Sequence, residues 1–155
     1  MAESKEFRTT SIMVDYLFGK GVSRALPKKG FHLQLSRRSG RIKLIFHDEK
    51  LFATVKPNGA MALSMYGASI LSKSPKFREN CVQVSDDVVE FVRGNKSVFC
   101  KFVLWAGNNI YPKSGVAVID EKGKVVGVGM AVLNGAFMRQ FKTGVAVKVR
   151  AGLKK

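Results

Sequence analysis

At 155 residues, with 46% apolar and 25% charged side chains, the chain holds enough core material for one domain or two small ones, which excludes a disordered polypeptide. Its 27 Lys and Arg outnumber 11 Asp and Glu, giving a net charge of +16. A field of that sign favours nucleic acid or an anionic membrane surface as partner, against the plainer role of solubility.

The charge is not a tail. Residues 1–75 carry 13 Lys/Arg against 5 Asp/Glu and residues 76–155 carry 14 against 6, so each half contributes +8. The polar start MAESKEFRTT gives no signal peptide, and the longest apolar run, Val125 to Leu133, is short and contains glycine, so no membrane partner is expected. Cys81 and Cys100 form no CxxC pair; a reduced, cytoplasmic setting is expected, with a single disulfide as the alternative.

In chain order, Ser11 to Phe18 predicts a helix with Ile12, Met13, Tyr16 and Leu17 as its apolar stripe, ended by Gly19 and Gly21, and Arg24 to Pro27 adds one more turn. A hairpin follows. Phe31, Leu33 and Leu35 form one inward face, Ile42, Leu44 and Phe46 the other, and Arg37-Arg38-Ser39-Gly40 makes the turn. A third strand spans Leu51 to Val55, and Pro57-Asn58-Gly59 turns the chain toward a helix over Tyr66 to Ser72. The polar stretch SKSPKF, residues 72 to 77, reads as a linker, which divides the chain into residues 1–75 and 76–155.

The second half opens with a strand over Cys81 to Val84. Ser85 caps a helix with Asp86 and Asp87 in its first turn, where the dipole favours negative charge; Val88, Val89, Phe91 and Val92 form its buried face and Gly94 stops it. One strand is expected over Ser97 to Trp105, then a loop over Asn108 to Ser114. Strands Val116 to Ile119 and Val125 to Val132 flank the Asp120-Glu121-Lys122-Gly123 turn. Asn134 caps a helix with Phe137, Met138 and Phe141 on its apolar side, and Gly144 closes it. On the last strand Val145, Val147 and Val149 face inward, leaving Lys148 and Arg150 outward.

No catalytic or metal-binding cluster emerges, and neither metal nor cofactor is expected. His32 and His47 are isolated, and two His with two scattered Cys make a zinc site improbable. Cys100 reads as a core thiol. Asp86-Asp87 and Asp120-Glu121 read as helix-start and turn residues, and Gly127-Val128-Gly129 lies inside a strand, where it opens no dinucleotide loop. Trp105 and Tyr111 flank the Asn108-Asn109 loop and offer rings to an unpaired base, with packing over the barrel end as the competing role of Trp105.

VEFVRGNKSVFCKFV (residues 89 to 103), GVAVIDEKGKVVGVGMAVLNGAFM (115 to 138) and GVAVKVR (144 to 150) resemble the PUA domain, the RNA-binding module named after pseudouridine synthases and archaeosine transglycosylases. DYLFGKGVSRAL (15 to 26), the basic hairpin and LFATVKPNGAMALSMYGASIL (51 to 71) resemble the small domain preceding PUA in archaeal tRNA-guanine transglycosylases. The resemblance implies an α+β chain: a small pre-PUA α+β domain over residues 1–75, then a PUA mixed β pseudo-barrel with two short helices over residues 76–155. It also implies recognition of structured RNA, typically tRNA, between the first PUA helix, the following strand and the last strand. Carried onto this chain, those elements hold Arg93, Gly94, Asn95, Lys96, Lys101, Lys148 and Arg150. Two departures stand out. The family's tight Pro-Gly turn becomes the longer Pro112-Lys113-Ser114-Gly115, and Ala151 replaces a basic residue or His after the last strand.

The same residues suit RNA on physical grounds. Lys148 and Arg150 stand about 7 Å apart along a strand, near the spacing of successive phosphates. Gly94 lets a backbone approach, and Asn95 and Ser97 offer uncharged hydrogen bonds. Arg37, Arg38, Arg41 and Lys43 form a second basic cluster at the hairpin tip, suited either to a second RNA segment or partner, or to protecting an edge strand. The transglycosylases of this resemblance carry a large catalytic barrel that is missing here. The expectation is therefore a non-enzymatic RNA-binding protein acting on tRNA, with a separate transglycosylase catalytic subunit as partner; the alternative is a ribosome-biogenesis factor on ribosomal RNA.

Overall fold

The computed structural model describes residues 4–152. Helix α1 (Lys5–Phe18) begins at Ser4, whose hydroxyl accepts from the Phe7 amide at 3.1 Å. It is longer than the sequence suggests and buries a different face. Phe7, Thr10, Val14 and Phe18 are buried, whereas Ile12 and Tyr16 are 65% and 87% exposed. Both stripes have helical spacing; extending the helix back to Phe7 selects the other one. A 3-10 turn, Val22–Ala25, follows, earlier than the turn expected after Arg24.

Strands β1 (Phe31–Leu35), β2 (Ile42–His47), β3 (Lys50–Val55) and β4 (Met61–Leu63) form an antiparallel sheet in that order. A bulge between Gln34 and Leu35 pairs Leu35 with Ile42 but Leu33 with Ile45. It shifts the register of β2, so Ile45 and His47 are buried and Leu44 and Phe46 only half-buried, the reverse of simple alternation. His47 is no isolated surface residue. Its Nδ1 lies 2.6 Å from the Tyr66 hydroxyl and its Nε2 3.0 Å from the Lys29 carbonyl. β4 has no counterpart among the expected strands, because three residues after a turn carry too little pattern.

Helix α2 (Met65–Leu71) is capped by Ser64, whose hydroxyl accepts from Gly67 at 2.9 Å. The expected linker is packed structure: Pro75–Asn80 is a 3-10 helix with Phe77 and Asn80 buried. Phe77 stacks edge-on against Phe18, 5.7 Å between centroids, and Asn80 Nδ2 donates to the Phe18 carbonyl at 2.7 Å. One apolar cluster joins Phe18, Ile45, Phe52, Leu71 and Phe77 to Cys81, Ala117, Ile119 and Val128, so the two halves share a core.

The second sheet uses β5 (Cys81–Val84), β6 (Val98–Phe99), β7 (Val103–Ala106), β8 (Gly115–Ile119), β9 (Val125–Ala131) and β10 (Val145–Gly152). Their order, β6-β10-β9-β8-β5-β7, with β5 parallel to β8 and every other pair antiparallel, makes a mixed, nearly closed pseudo-barrel. Two short helices accompany it, α3 (Val89–Arg93) and α4 (Gly135–Gln140). The single strand expected over residues 97 to 105 is broken by a 3-10 turn at Cys100–Phe102, which lets β6 pair with β10 and β7 with β5. Ser85 starts a 3-10 turn, Asp86–Val88, ahead of α3 rather than α3 itself. Val88 and Val92 are buried but Phe91 is exposed; likewise Met138 is buried while Phe137 and Phe141 are exposed and stack on each other at 5.3 Å. Short helices simply bury narrower faces than their apolar content suggests. Cys81 and Cys100 are both buried free thiols. No helix among the described residues is long and apolar enough to cross a membrane.

Candidate nucleic-acid interface

β10 pairs residue for residue with β9 as far as Val149, opposite Gly129; then Ala151 pairs with Val128. Arg150 is thus the extra residue of a bulge, a feature that re-aims a side chain out of a ladder. Lys148 and Arg150 are exposed, as expected, while Val147 is buried and Val149 half-buried. The strand continues to Gly152, so Ala151 belongs to it rather than following it.

Glycines draw the flanking elements close. A Cβ on Gly129 would strike the Lys148 carbonyl oxygen, and one on Gly127 would lie 2.5 Å from Val92 Cγ1. At the end of β10, a Cβ on Gly152 would lie 2.5 Å from both Arg93 Cα and the Val92 carbonyl oxygen. The C-terminal turn of α3 therefore rests on the last residues of β10, which places the Arg93 backbone against Gly152. Arg93 is half-buried, with Nη1 3.6 Å from Glu90 and a buried Nε that has no hydrogen-bond partner.

After α3 the chain turns through Gly94, Asn95 and Lys96, all exposed. The left-handed residue is Asn95 (φ +64), not Gly94 (φ −86), and Asn is the side chain that tolerates this region best after glycine. A Cβ at Gly94 would meet only ordinary contacts at 3.6 Å. Val98 pairs with Val147, which sets Lys96 and Ser97 near the Lys148 end of β10.

Lys101 lies elsewhere. It sits in the 3-10 turn after β6, its ammonium 4.9 Å from the Phe102 ring centroid. It lines a groove of about 490 Å³ together with Phe91, Lys96, Phe99, Lys142 and Thr143. Lys96 therefore lies between the cations of β10 and this groove, whose apolar lining also includes Lys101 and Lys142. Lys142 carries no signal in the sequence, because nothing local ties residue 142 to residue 91.

Lys56, at the turn between β3 and β4, escapes sequence reasoning for the same reason. Its Nζ lies 3.9 Å from Met130 Sδ, and Met130 pairs with Lys148 across β9 and β10. Burial, and secondarily the charge of Arg150, hold its ammonium below the usual lysine range. A cation of the first half thus borders the strip formed by Lys148 and Arg150.

The hairpin cluster stands apart. Arg37, Arg38, Arg41 and Lys43 are all exposed at the tip of β1 and β2, in the other sheet. Trp105 is half-buried and carries the Arg78 guanidinium over its ring at 4.7 Å, so a base would have to displace that cation from this face; Tyr111 is exposed. In the altered loop, Lys113 takes φ +74 and its amide donates to the Ala131 carbonyl at 2.8 Å, which anchors the additional residues to β9.

Residues 80–153 match the PUA domain model, and residues 8–77 match the patch-forming domain C2 of tRNA-guanine transglycosylase. This is a PUA-domain protein that also carries the transglycosylase C2 unit. Curated relatives include tRNA-guanine(15) transglycosylases of Thermoplasma acidophilum (35% identical over 142 residues) and Methanobrevibacter smithii (30% over 151 residues). These alignments take in 91% and 97% of this chain but 22% and 23% of the relatives. The chain therefore spans under a quarter of those two enzymes and matches their PUA-bearing C-terminal part rather than the catalytic part. Among solved structures, a hypothetical protein of Pyrococcus horikoshii OT3 superposes with a TM-score of 0.72 at 20% identity, covering 98% of this chain and 92% of that one. A conserved PUA domain protein of Thermoplasma acidophilum gives 0.66 at 16% identity, covering 98% and 91%. The two-unit fold of the PUA-domain protein thus recurs in chains of similar length.

Proposed function

We propose that the protein is a non-catalytic RNA-binding protein that recognises tRNA through its PUA half, with the division between its units near residue 76, and serves as a detached accessory subunit of a tRNA-guanine transglycosylase. The observation that carries this reading is the strip of Lys148 and Arg150 on β10, flanked by Arg93 and Lys96 and bordered by Lys56, on a chain of net charge +16. Fixed cations along a strand and its neighbours meet a phosphate backbone and position the RNA; they carry little sequence information by themselves. Folded RNA is then read mainly by shape, 2′-hydroxyls and phosphates. The pairing of C2 with PUA supports tRNA as the ligand, because the relatives that share both are named for tRNA-guanine(15) exchange.

Affinity purification with identification of bound RNA and protein tests this. Recovery of tRNA together with a transglycosylase-like subunit supports the proposal. Recovery of pre-ribosomal particles would replace it with a role in ribosome assembly.

A further inference from the structure

A second basic recess lies where the turns after α1 and after α2 meet. It is an open depression of about 520 Å³, lined by Gly21, Arg24, Lys73, Ser74, Pro75 and Lys76 together with Ala25. Three of these are cations and none is acidic. Nearby carboxylates are engaged elsewhere: Asp15 accepts from the Ser23 amide at 2.8 Å and the Ser23 hydroxyl at 3.0 Å, and Glu79 accepts from Asn108 Nδ2 at 3.0 Å. Among the described residues, neither Arg24, Lys73 nor Lys76 has a carboxylate within 4.0 Å.

The recess is also held in shape. Lys76 Nζ donates to the Lys20 carbonyl at 3.1 Å, which pins an ammonium at the rim. It passes so near Gly21 that a Cβ there would lie 3.2 Å from it, and Gly21 has φ +94, which favours glycine. Pro75 rigidifies the segment that carries Ser74 and Lys76, at the start of its 3-10 helix. Convergent cations without a counter-charge repel one another, and a bound anion relieves that repulsion.

We infer that this recess binds a phosphate group and, resting on the RNA-binding reading above, that the group is a backbone phosphate of the same RNA, gripped at a point separate from β10. Arg24 and Lys73 supply the charge, Lys76 the fixed ammonium, and Ser74 a hydroxyl.

The test uses the full chain with Arg24→Gln/Lys73→Gln, and Lys5→Gln/Arg139→Gln as an equal loss of charge at exposed positions, on the first turn of α1 and on α4, that do not line the recess. Inorganic phosphate is titrated against chloride at constant ionic strength while the backbone amides of Gly21, Ser74 and Lys76 are followed by NMR. Saturable shifts in the wild type and the control, lost in Arg24→Gln/Lys73→Gln, are expected; no saturable shift in the wild type overturns the site. RNA binding is then measured against salt. A log–log slope shallower by about 0.9 in Arg24→Gln/Lys73→Gln than in the control assigns the phosphate to the RNA backbone. Saturable phosphate binding with an unchanged RNA slope overturns that assignment. If the wild type binds no RNA, both the RNA reading and this assignment fall, while the phosphate titration still decides the recess.

Discussion

Gly152 and Arg93 meet backbone to backbone: a Cβ on Gly152 would fall 2.5 Å from Arg93 Cα. The contact joins the last strand to the first PUA helix and sets the position of Arg93 relative to Arg150. Gly152→Ala must push α3 away from β10. The expected result is destabilisation of about 1–3 kcal/mol by denaturant titration, the usual cost of overpacking, with weaker RNA binding. Gly94→Ala is the contrast, because φ there is −86 and its nearest contacts are ordinary. Its stability should change by no more than about 0.5 kcal/mol, so any loss of binding would report close approach of the RNA backbone.

Lys56 exchanges stability for charge. Burial and Arg150 lower its pKa. Between that lowered value and the ordinary 10.5, the unfolded chain holds a proton that the folded chain has released, so wild-type stability rises with pH across this window. Below the window both states are charged and the folded state bears the full penalty. Lys56→Met is therefore expected to raise the melting temperature at pH 7, with the gain shrinking as pH approaches 10.5, while RNA affinity falls. Thermal scans at about pH 7 and about pH 10 measure the first effect and filter binding the second.

His47 is a structural residue. Its two ring nitrogens join the Tyr66 hydroxyl to the Lys29 carbonyl, beneath a sheet that also buries Phe31 and Phe52. His47→Phe strips both partners. It should cost about 1–3 kcal/mol, the penalty for buried polar groups left unpaired, and leave the RNA salt slope unchanged.

The thiols are expected to be inert. Burial pushes Cys81 up to about 12 and also raises Cys100. Iodoacetamide at about pH 8 should label neither thiol appreciably in the native protein and both after unfolding in urea; mass spectrometry gives the count.

Elements whose signal is local were legible. The Asn134 cap, with its side chain accepting from Phe137 at 2.8 Å, follows from a few adjacent residues, as do the Asp120 to Gly123 turn and the alternation that turns Lys148 outward. What failed depends on partners distant in sequence. The β1–β2 bulge reverses the inward face of β2, and the break at Cys100 divides one apolar run between two neighbours, β10 and β5. Phe77 looks like the end of a linker until Phe18 covers it, and Asn80, just beyond that stretch, donates to the carbonyl of the same Phe18. Lys56 borders the cationic strip only because the turn after β3 reaches β9, and no spacing within residues 50 to 60 encodes that.

The salt dependence of RNA binding tests the central claim most directly. Filter binding of tRNA to the wild type and to Lys148→Ala/Arg150→Ala, across a range of salt concentrations, yields the number of phosphates that these two side chains neutralise. A slope shallower by about two in the double variant, with its fold intact by circular dichroism, is the predicted result. An unchanged slope would contradict it and remove β10 from the interface.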